Sequence, residues 1–385
     1  MSTPCLRSPA AAAPAAWVCV LALALFAETS ANAQIVLSTE AAQLTVEGYA
    51  NFSAGDADRS GGAAGDDARF DGGARILSRL RFDDWPDVGV RVAAEVSEND
   101  AELTEVSVLL FGGNGRLEIG ERPGLPDVLT GYAPNNFQFT SAEFGPASGP
   151  SLDPAGRLQT LLLPAALARQ LDPLVSLGVT AAMFDDRSTK ILYVSPKKGG
   201  WLAGVSYADD ADDEAVAELL QAGLTHENYW QQNVLRWGAT YAHARAADAL
   251  RQSRDVSSIG AGISLTLDDA LMFGVAASYD GRSRLPSSAV GPFASPAWGA
   301  TISVNYNTGP WTVGAYYQHT TAEGDSTLAR NDQLSAFEAG ASYRFTTKMR
   351  LYGAWYRYDF EDDDVSAEGL SGAGNVIILG LRVTL

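Results

Sequence analysis

Cysteine is almost missing from this 385-residue chain: there are two, Cys5 and Cys19, and both precede residue 34. Beyond that point no disulfide framework and no thiolate ligand or nucleophile is available. Histidine is equally sparse. His226, His243 and His319 stand far apart, and none belongs to a metalloprotease or nucleophile-elbow motif. Positive charge is short as well, with 27 Lys plus Arg against 46 Asp plus Glu and a formal charge of −19. Nucleic acid is therefore excluded as a partner, because binding a phosphate backbone requires a basic face. Finally, after residue 33 no unbroken apolar run approaches the roughly 18 to 20 residues of a membrane helix. The nearest, 158–171, is interrupted by Pro164 and Arg169. No cofactor motif occurs, and no cofactor is expected.

What is present is too apolar for an acidic disordered chain, since hydrophobic residues make up 46% and glycine contributes 38 positions. The first residues read as a secretory signal. Arg7 precedes an apolar run over 15–27, and Ala31-Asn32-Ala33 matches a small-residue cleavage pattern. Residues 1–33 are thus expected to be removed, leaving 34–385 as one unit.

Within 34–385 the dominant signal is a two-residue period. Val90, Val92, Ala94 and Val96 share one face, against Arg91 and Glu95; Phe337, Ala339, Ala341, Tyr343 and Phe345 alternate with Glu338, Gly340, Ser342 and Arg344. The last residues repeat the pattern with Ile377, Leu379, Leu381, Val383 and Leu385. A soluble sandwich alternates too, so the connections decide. Tight turns are expected near 83–87, 112–115, 197–200, 231–233, 268–270, 308–310 and 346–348, and long polar loops over 54–71, 209–217, 281–296, 321–332 and 361–374. Short turns at one end and long loops at the other are the layout of an all-β transmembrane antiparallel barrel. Strands of about ten residues then number about sixteen, enough to leave an aqueous channel. A further hairpin within 158–183 would make eighteen. Trp201, Trp230, Trp311 and Phe345 all stand beside tight turns, as a periplasmic girdle would.

Charges assign the faces, because an arginine facing lipid at mid-bilayer costs about 2 to 4 kcal/mol and little near an interface. Arg75, Arg79 and Arg81 lie opposite Ile76, Leu80 and Phe82; Arg91 lies opposite the valine face; Arg116 and Arg122 lie opposite Leu117 and Ile119. Three successive strands therefore direct arginines inward. Arg350 is expected to break this rule by parity, tolerated because it is close to a turn. The segment 123–189 is the longest connection, rich in proline, and expected to be an external loop folded into the lumen. The excess of carboxylates predicts a weak preference for cations.

At this point the residues resemble a known family, the trimeric general porins of Gram-negative bacteria. Gly115-Arg116-Leu117-Glu118-Ile119-Gly120-Glu121-Arg122 is similar to the family strand that precedes its constriction loop. The stretch 190–196, followed by Gly204-Val205-Ser206-Tyr207, resembles the hairpin after it. The resemblance implies a homotrimer in the outer membrane, in contact with the lipid bilayer and lipopolysaccharide, passing ions and small hydrophilic solutes. It also implies a constriction in which Arg79, Arg81, Arg91 and Arg122 face carboxylates of the long loop, Glu143 first among them, with Asp127 and Asp153. The chain departs from the family in ending on Leu385 rather than an aromatic residue, and in the length of its third loop.

Other functional classes make their own demands on the sequence. A hydrolase at the barrel rim would need one of the three histidines beside a serine or carboxylate. Calcium would have to use 209–214 or 361–364, neither of which has the spacing of a calcium loop. A substrate-specific channel and an adhesin are also compatible with the same barrel, and open conductance separates a pore from an adhesin.

Overall fold

The computed structural model describes residues 34–59, 65–82, 85–97, 101–122, 124, 125, 129, 188–210, 216–246, 255–281, 296–323, 331–361 and 372–384. The expected targeting segment lies outside them. Seventeen strands follow one another: β1 (Gln34–Ser38), β2 (Ala42–Arg59), β3 (Gly65–Leu80), β4 (Asp87–Ser97), β5 (Ala101–Gly112), β6 (Gly115–Glu121), β7 (Thr189–Val194), β8 (Trp201–Asp210), β9 (Val216–Trp230), β10 (Asn233–Ala246), β11 (Val256–Leu267), β12 (Leu271–Gly281), β13 (Ala297–Thr308), β14 (Trp311–Glu323), β15 (Asn331–Arg344), β16 (Met349–Glu361) and β17 (Gly372–Thr384). Each of β2 to β17 pairs antiparallel with the next, and β17 returns to β2 from Gly374↔Arg59 to Thr384↔Tyr49. The sixteen strands therefore close into a barrel with no free edge. β1 pairs with β2 just beyond that seam, Gln34↔Glu47 to Ser38↔Gln43, so it carries on the line along which β17 ends.

The register excludes the eighteen-strand alternative. β6 pairs directly with β7, Arg116↔Val194 to Glu121↔Thr189, which leaves no place in the wall for a hairpin from 158–183. The connections also differ from expectation. The loop expected over 54–71 shrinks to 60–64, because β2 and β3 run for 18 and 16 residues. About 9 to 11 residues suffice to cross the bilayer, and beyond it water accepts a strand that is polar on both faces. Alternation then stops reporting the strand while its backbone ladder continues. The same extension shortens the loops expected over 209–217, 321–332 and 361–374.

One face of each strand is apolar and exposed. Ile302, Ile377 and Leu379 are 57%, 55% and 63% exposed, a cost in water and a gain in lipid. Trp201, Trp230, Trp311 and Phe345 are on this outer face at the turn end, as expected. A second outer band, Tyr207, Tyr241, Tyr279, Trp298, Tyr317 and Trp355, lies toward the loop end. The two bands mark the membrane's two interfaces.

Candidate functional site

Cross-strand partners share a face, so the register that turns Ile76, Val90, Val108 and Ile119 outward turns Glu47, Arg75, Arg91, Glu105, Arg116 and Glu118 inward. There they form one buried network. Arg75 Nη2 donates to Glu105 Oε1 at 2.8 Å and approaches Glu47 through Nη1 at 3.9 Å. Arg91 Nη1 donates to Glu118 Oε2 at 3.0 Å, and its Nε is 3.8 Å from Glu105. Arg116 Nε stands 2.5 Å from Glu118 Oε1, and Arg122 also reaches Glu118. Glu118, with no exposed surface, thus serves three guanidinium groups. Among the described residues this network joins four arginines to three carboxylates. Pairing is obligatory here, since an unpaired buried charge costs several kcal/mol.

Nearer the turns, Arg79 holds Asp87 at 2.6 Å and stacks over Phe111, 4.4 Å from the ring centroid. Arg81 donates to Gln43 Oε1 at 3.2 Å.

Beyond β6 the inner wall turns largely apolar, although Lys190 on β7 is buried on the same face as Leu192 and Val194. Gly204 on β8 and Gly223 on β9 are direct register partners and together form a hollow. Leu125 and Leu129 sit in it. A Cβ at Gly204 would lie 2.5 Å from Leu125 Cδ1, and one at Gly223 2.6 Å from Leu129 Cδ1. Leu192, Val194 and Leu202 pack around them, and the Leu125 amide donates to Gln221 Oε1 at 2.9 Å. From β11 to β14 the inner face changes again, to neutral polar residues such as Ser264, Thr301, Ser303, Asn305, Gln318 and Thr320.

A ring of sixteen strands, apolar outside and polar or charged inside, invites comparison with known barrels. The profile of the Gram-negative porins matches residues 17–363. The chain belongs to that family.

Solved outer-membrane proteins share the fold at low sequence identity. An anion-selective porin from Comamonas acidovorans is 14% identical with a TM-score of 0.56, covering 89% of this chain and 100% of its own. OmpT of Vibrio cholerae in its trimer form is 12% identical with a TM-score of 0.54, covering 89% and 99%. A mutant Rh. blastica porin is 15% identical with a TM-score of 0.53, covering 89% and 100%. No curated protein sequence matches the chain. The protein is accordingly an outer-membrane porin, and the barrel is its channel.

The porin's inner wall brings Arg91 and Arg122 together on Glu118, while Arg79 and Arg81 stand apart from them toward the periplasmic turns. Asp127, Glu143 and Asp153 lie outside the described residues. Glu47, Glu105 and Glu118 were not singled out from sequence, although strand parity places Glu118 with Arg116 and Arg122. The expectation for Arg350 is corrected. It is the register partner of Arg344 and Arg382, on the same inward face as Ser342, Tyr352 and Gly380. The alternating residues Leu351, Gly353 and Trp355 face lipid instead. The outward arginine of β16 is Arg357, beyond Trp355 toward the loops.

All three histidines are on the outer face. His226 packs against Trp201, with ring centroids 4.4 Å apart, and against Trp237 at 5.7 Å. His319 Nδ1 is 3.0 Å from Ser335 Oγ, but the register partner of Ser335 on β16 is Asp359, so the carboxylate flanks the serine rather than the imidazole. A hydrolytic triad needs the imidazole in the middle. Among the described residues no three His, Asp or Glu side chains gather as a metal site.

Proposed function

We propose that this porin passes ions and small hydrophilic solutes by passive diffusion, without covalent chemistry, as a homotrimer seated in the lipid bilayer and in contact with lipopolysaccharide. The observation that carries the reading is the closed sixteen-strand ring, whose lipid-facing residues are apolar while its inner wall holds paired arginines and carboxylates. A wall of ions serves a solvated passage and would be costly in a dry core. The V. cholerae neighbour in its trimer form supports the oligomer.

Residues 1–33 act as the export signal, and 123–189 folds inward to narrow the channel. The seating of Leu125 and Leu129 on the inner wall supports this. Asp127, Glu143 and Asp153 would then face Arg91 and Arg122, with Arg79 and Arg81 lining the passage below. A transverse field between them orients dipolar solutes and disfavours apolar ones, which strip water without replacing its hydrogen bonds. The C. acidovorans neighbour is called anion-selective; here the surplus of carboxylates supports a weak cation preference.

Planar-bilayer recording of the purified protein tests the reading. Stable ohmic steps at high salt are expected, together with swelling of liposomes in small sugars. A protein that inserts without conductance is an adhesin or an enzyme rather than a pore.

A further inference from the structure

At the turn end of the barrel a cavity of about 1100 Å³ lies among the β3–β4, β5–β6 and β7–β8 turns. Phe111, Val194 and Leu202 line it from the inner faces of β5, β7 and β8, and Trp85, Pro86 and Pro196 line it from the turns. Its lining is therefore largely apolar. The rest of this end of the channel differs, since the inner face there carries Glu227 and Arg236 on β9 and β10, and Arg344, Arg350 and Arg382 on β15 to β17. A plain water-filled funnel gains nothing by holding an indole in water, yet Trp85 is 78% exposed. A ligand that covers such apolar surface recovers the free energy of its exposure.

Two arginines interrupt the apolar lining, and they are held differently. Arg79 is bound to Asp87 at 2.6 Å and lies over the Phe111 ring, so its charge is already matched. Arg116 turns Nε toward Glu118 Oε1 at 2.5 Å, while among the described residues neither of its terminal nitrogens has a hydrogen-bond partner. Its side chain is 27% exposed. A guanidinium presents its donors in one plane, the geometry that receives a carboxylate. The wall beside it is stiff. Tyr193 Oη donates to the Asn114 carbonyl oxygen and so ties the β5–β6 turn to β7. Gly115, at φ 126°, packs so closely on β7 that any side chain there would strike the Val194 carbonyl oxygen. A cavity with fixed walls needs little ordering when it is filled.

We propose that this cavity binds small amphipathic carboxylates, molecules with a flat apolar body and one carboxylate group. The body covers Trp85 and the Val194–Leu202 side, and the carboxylate pairs with the terminal nitrogens of Arg116. Inorganic anions lack the body and neutral aromatics lack the charge, so each makes half of the contacts. Short turns face the periplasm in barrels of this kind. The site thus holds a solute where the channel opens to that side.

Binding of para-fluorobenzoate to the mature protein in lipid nanodiscs tests the proposal, read from broadening of the ligand's fluorine resonance against empty nanodiscs. Saturable binding is expected. The neutral para-fluorobenzamide should bind about tenfold more weakly, the usual worth of a hydrogen bond to a charged group. Trp85→Ala, on an exposed turn where folding should be unaffected, should weaken the benzoate about fivefold. Arg116→Gln should erase the preference for acid over amide, which a loss of packing alone would not do. No saturable binding beyond that of empty nanodiscs, equal affinity for acid and amide, or full affinity in Trp85→Ala would each overturn the site. A preference for the acid that survives in folded Arg116→Gln would overturn it too, and the first three comparisons hold even where that variant does not fold. The measurement needs no current. A barrel that fails to conduct in planar bilayers would defeat the channel reading and leave the binding result standing.

Discussion

The inner wall from β2 to β6 and that from β11 to β14 obey the same alternation and face the same lipid, yet they are built differently. The first holds Arg75, Arg91, Arg116 and Arg122 among Glu47, Glu105 and Glu118. The second holds mostly hydroxyls and amides, with Asp280 as a buried carboxylate at its loop end, and Ser303 Oγ is buried without a hydrogen-bond partner among the described residues. The bilayer fixes the outer face everywhere and leaves the inner face to whatever the passage requires. A charged wall is also a coupled wall, because each guanidinium depends on a carboxylate from a neighbouring strand. A neutral wall is coupled more weakly, through bonds between uncharged groups such as that from Thr312 Oγ1 to Asn307 Oδ1 at 2.7 Å.

Coupling can be broken at Glu118. Glu118→Gln would leave three arginines facing a buried neutral amide, and loss of one partner of a buried ionic group typically costs about 3–5 kcal/mol. Ser303→Ala on the other wall removes only an unsatisfied hydroxyl and should change stability by no more than about 0.5 kcal/mol. Urea unfolding in lipid vesicles, followed by tryptophan fluorescence, compares the two. Equal midpoints for the two variants would show that the charged wall is not coupled.

The outer face sharpens the contrast, since there both walls should respond alike. Ile302 lies midway between Trp298 and Tyr306 on β13 and faces lipid. Ile302→Arg should cost about 2–4 kcal/mol, whereas Ser303→Arg, one residue along and facing inward, should insert and instead move ion selectivity toward anions. Vesicle refolding yields and reversal potentials in a salt gradient read the two effects. Comparable loss of insertion in both would mean that the faces are assigned wrongly.

Much of this was legible in the sequence because the bilayer imposes a strict rule on one face. Arg75, Arg79, Arg91, Arg116 and Arg122 all point inward as their parity required, and the tight turns fall where glycine, aspartate and asparagine gather. Asp268 and Asp269 both adopt positive φ, of 50° and 53°, as a two-residue hairpin turn demands. Parity failed where the rule lapses. Residues 54–59 and 65–71 continue as strand although their composition reads as loop, because a strand in water needs no apolar face. Arg350 was misplaced because Met349-Arg350-Leu351 beside a turn gives no unambiguous alternation, and only the partners Arg344 and Arg382 settle it. Which carboxylate meets which arginine was hidden too, since Glu105 and Glu118 belong to different strands and only register joins them.

Between the two walls lies the apolar seam of β7 to β9, where the smallest of the expected effects tests whether the seam serves to seat the long connection. The Gly204–Gly223 pair leaves room for Leu125 and Leu129, whose burial contributes roughly 1.5–3 kcal/mol each relative to exposure. Gly204→Val would fill half of that hollow. Its Cβ would meet Leu125 Cδ1 at 2.5 Å and the Tyr193 carbonyl oxygen at 3.1 Å, and the leucine side chain can yield more readily than the backbone. The variant should therefore fold with a loss of about 1–3 kcal/mol, the usual range for overpacking, while the Leu125 end of the connection is displaced. Because Arg122 is three residues before Leu125 and shares Glu118 with Arg91, that displacement should reach the charged wall and alter the open-channel current. Leu125→Ala in the Gly204→Val background relieves the clash and should recover much of the lost stability without restoring the native current, because the anchoring side chain is then gone. Recovery of both would mean that volume in the hollow matters and the anchor does not.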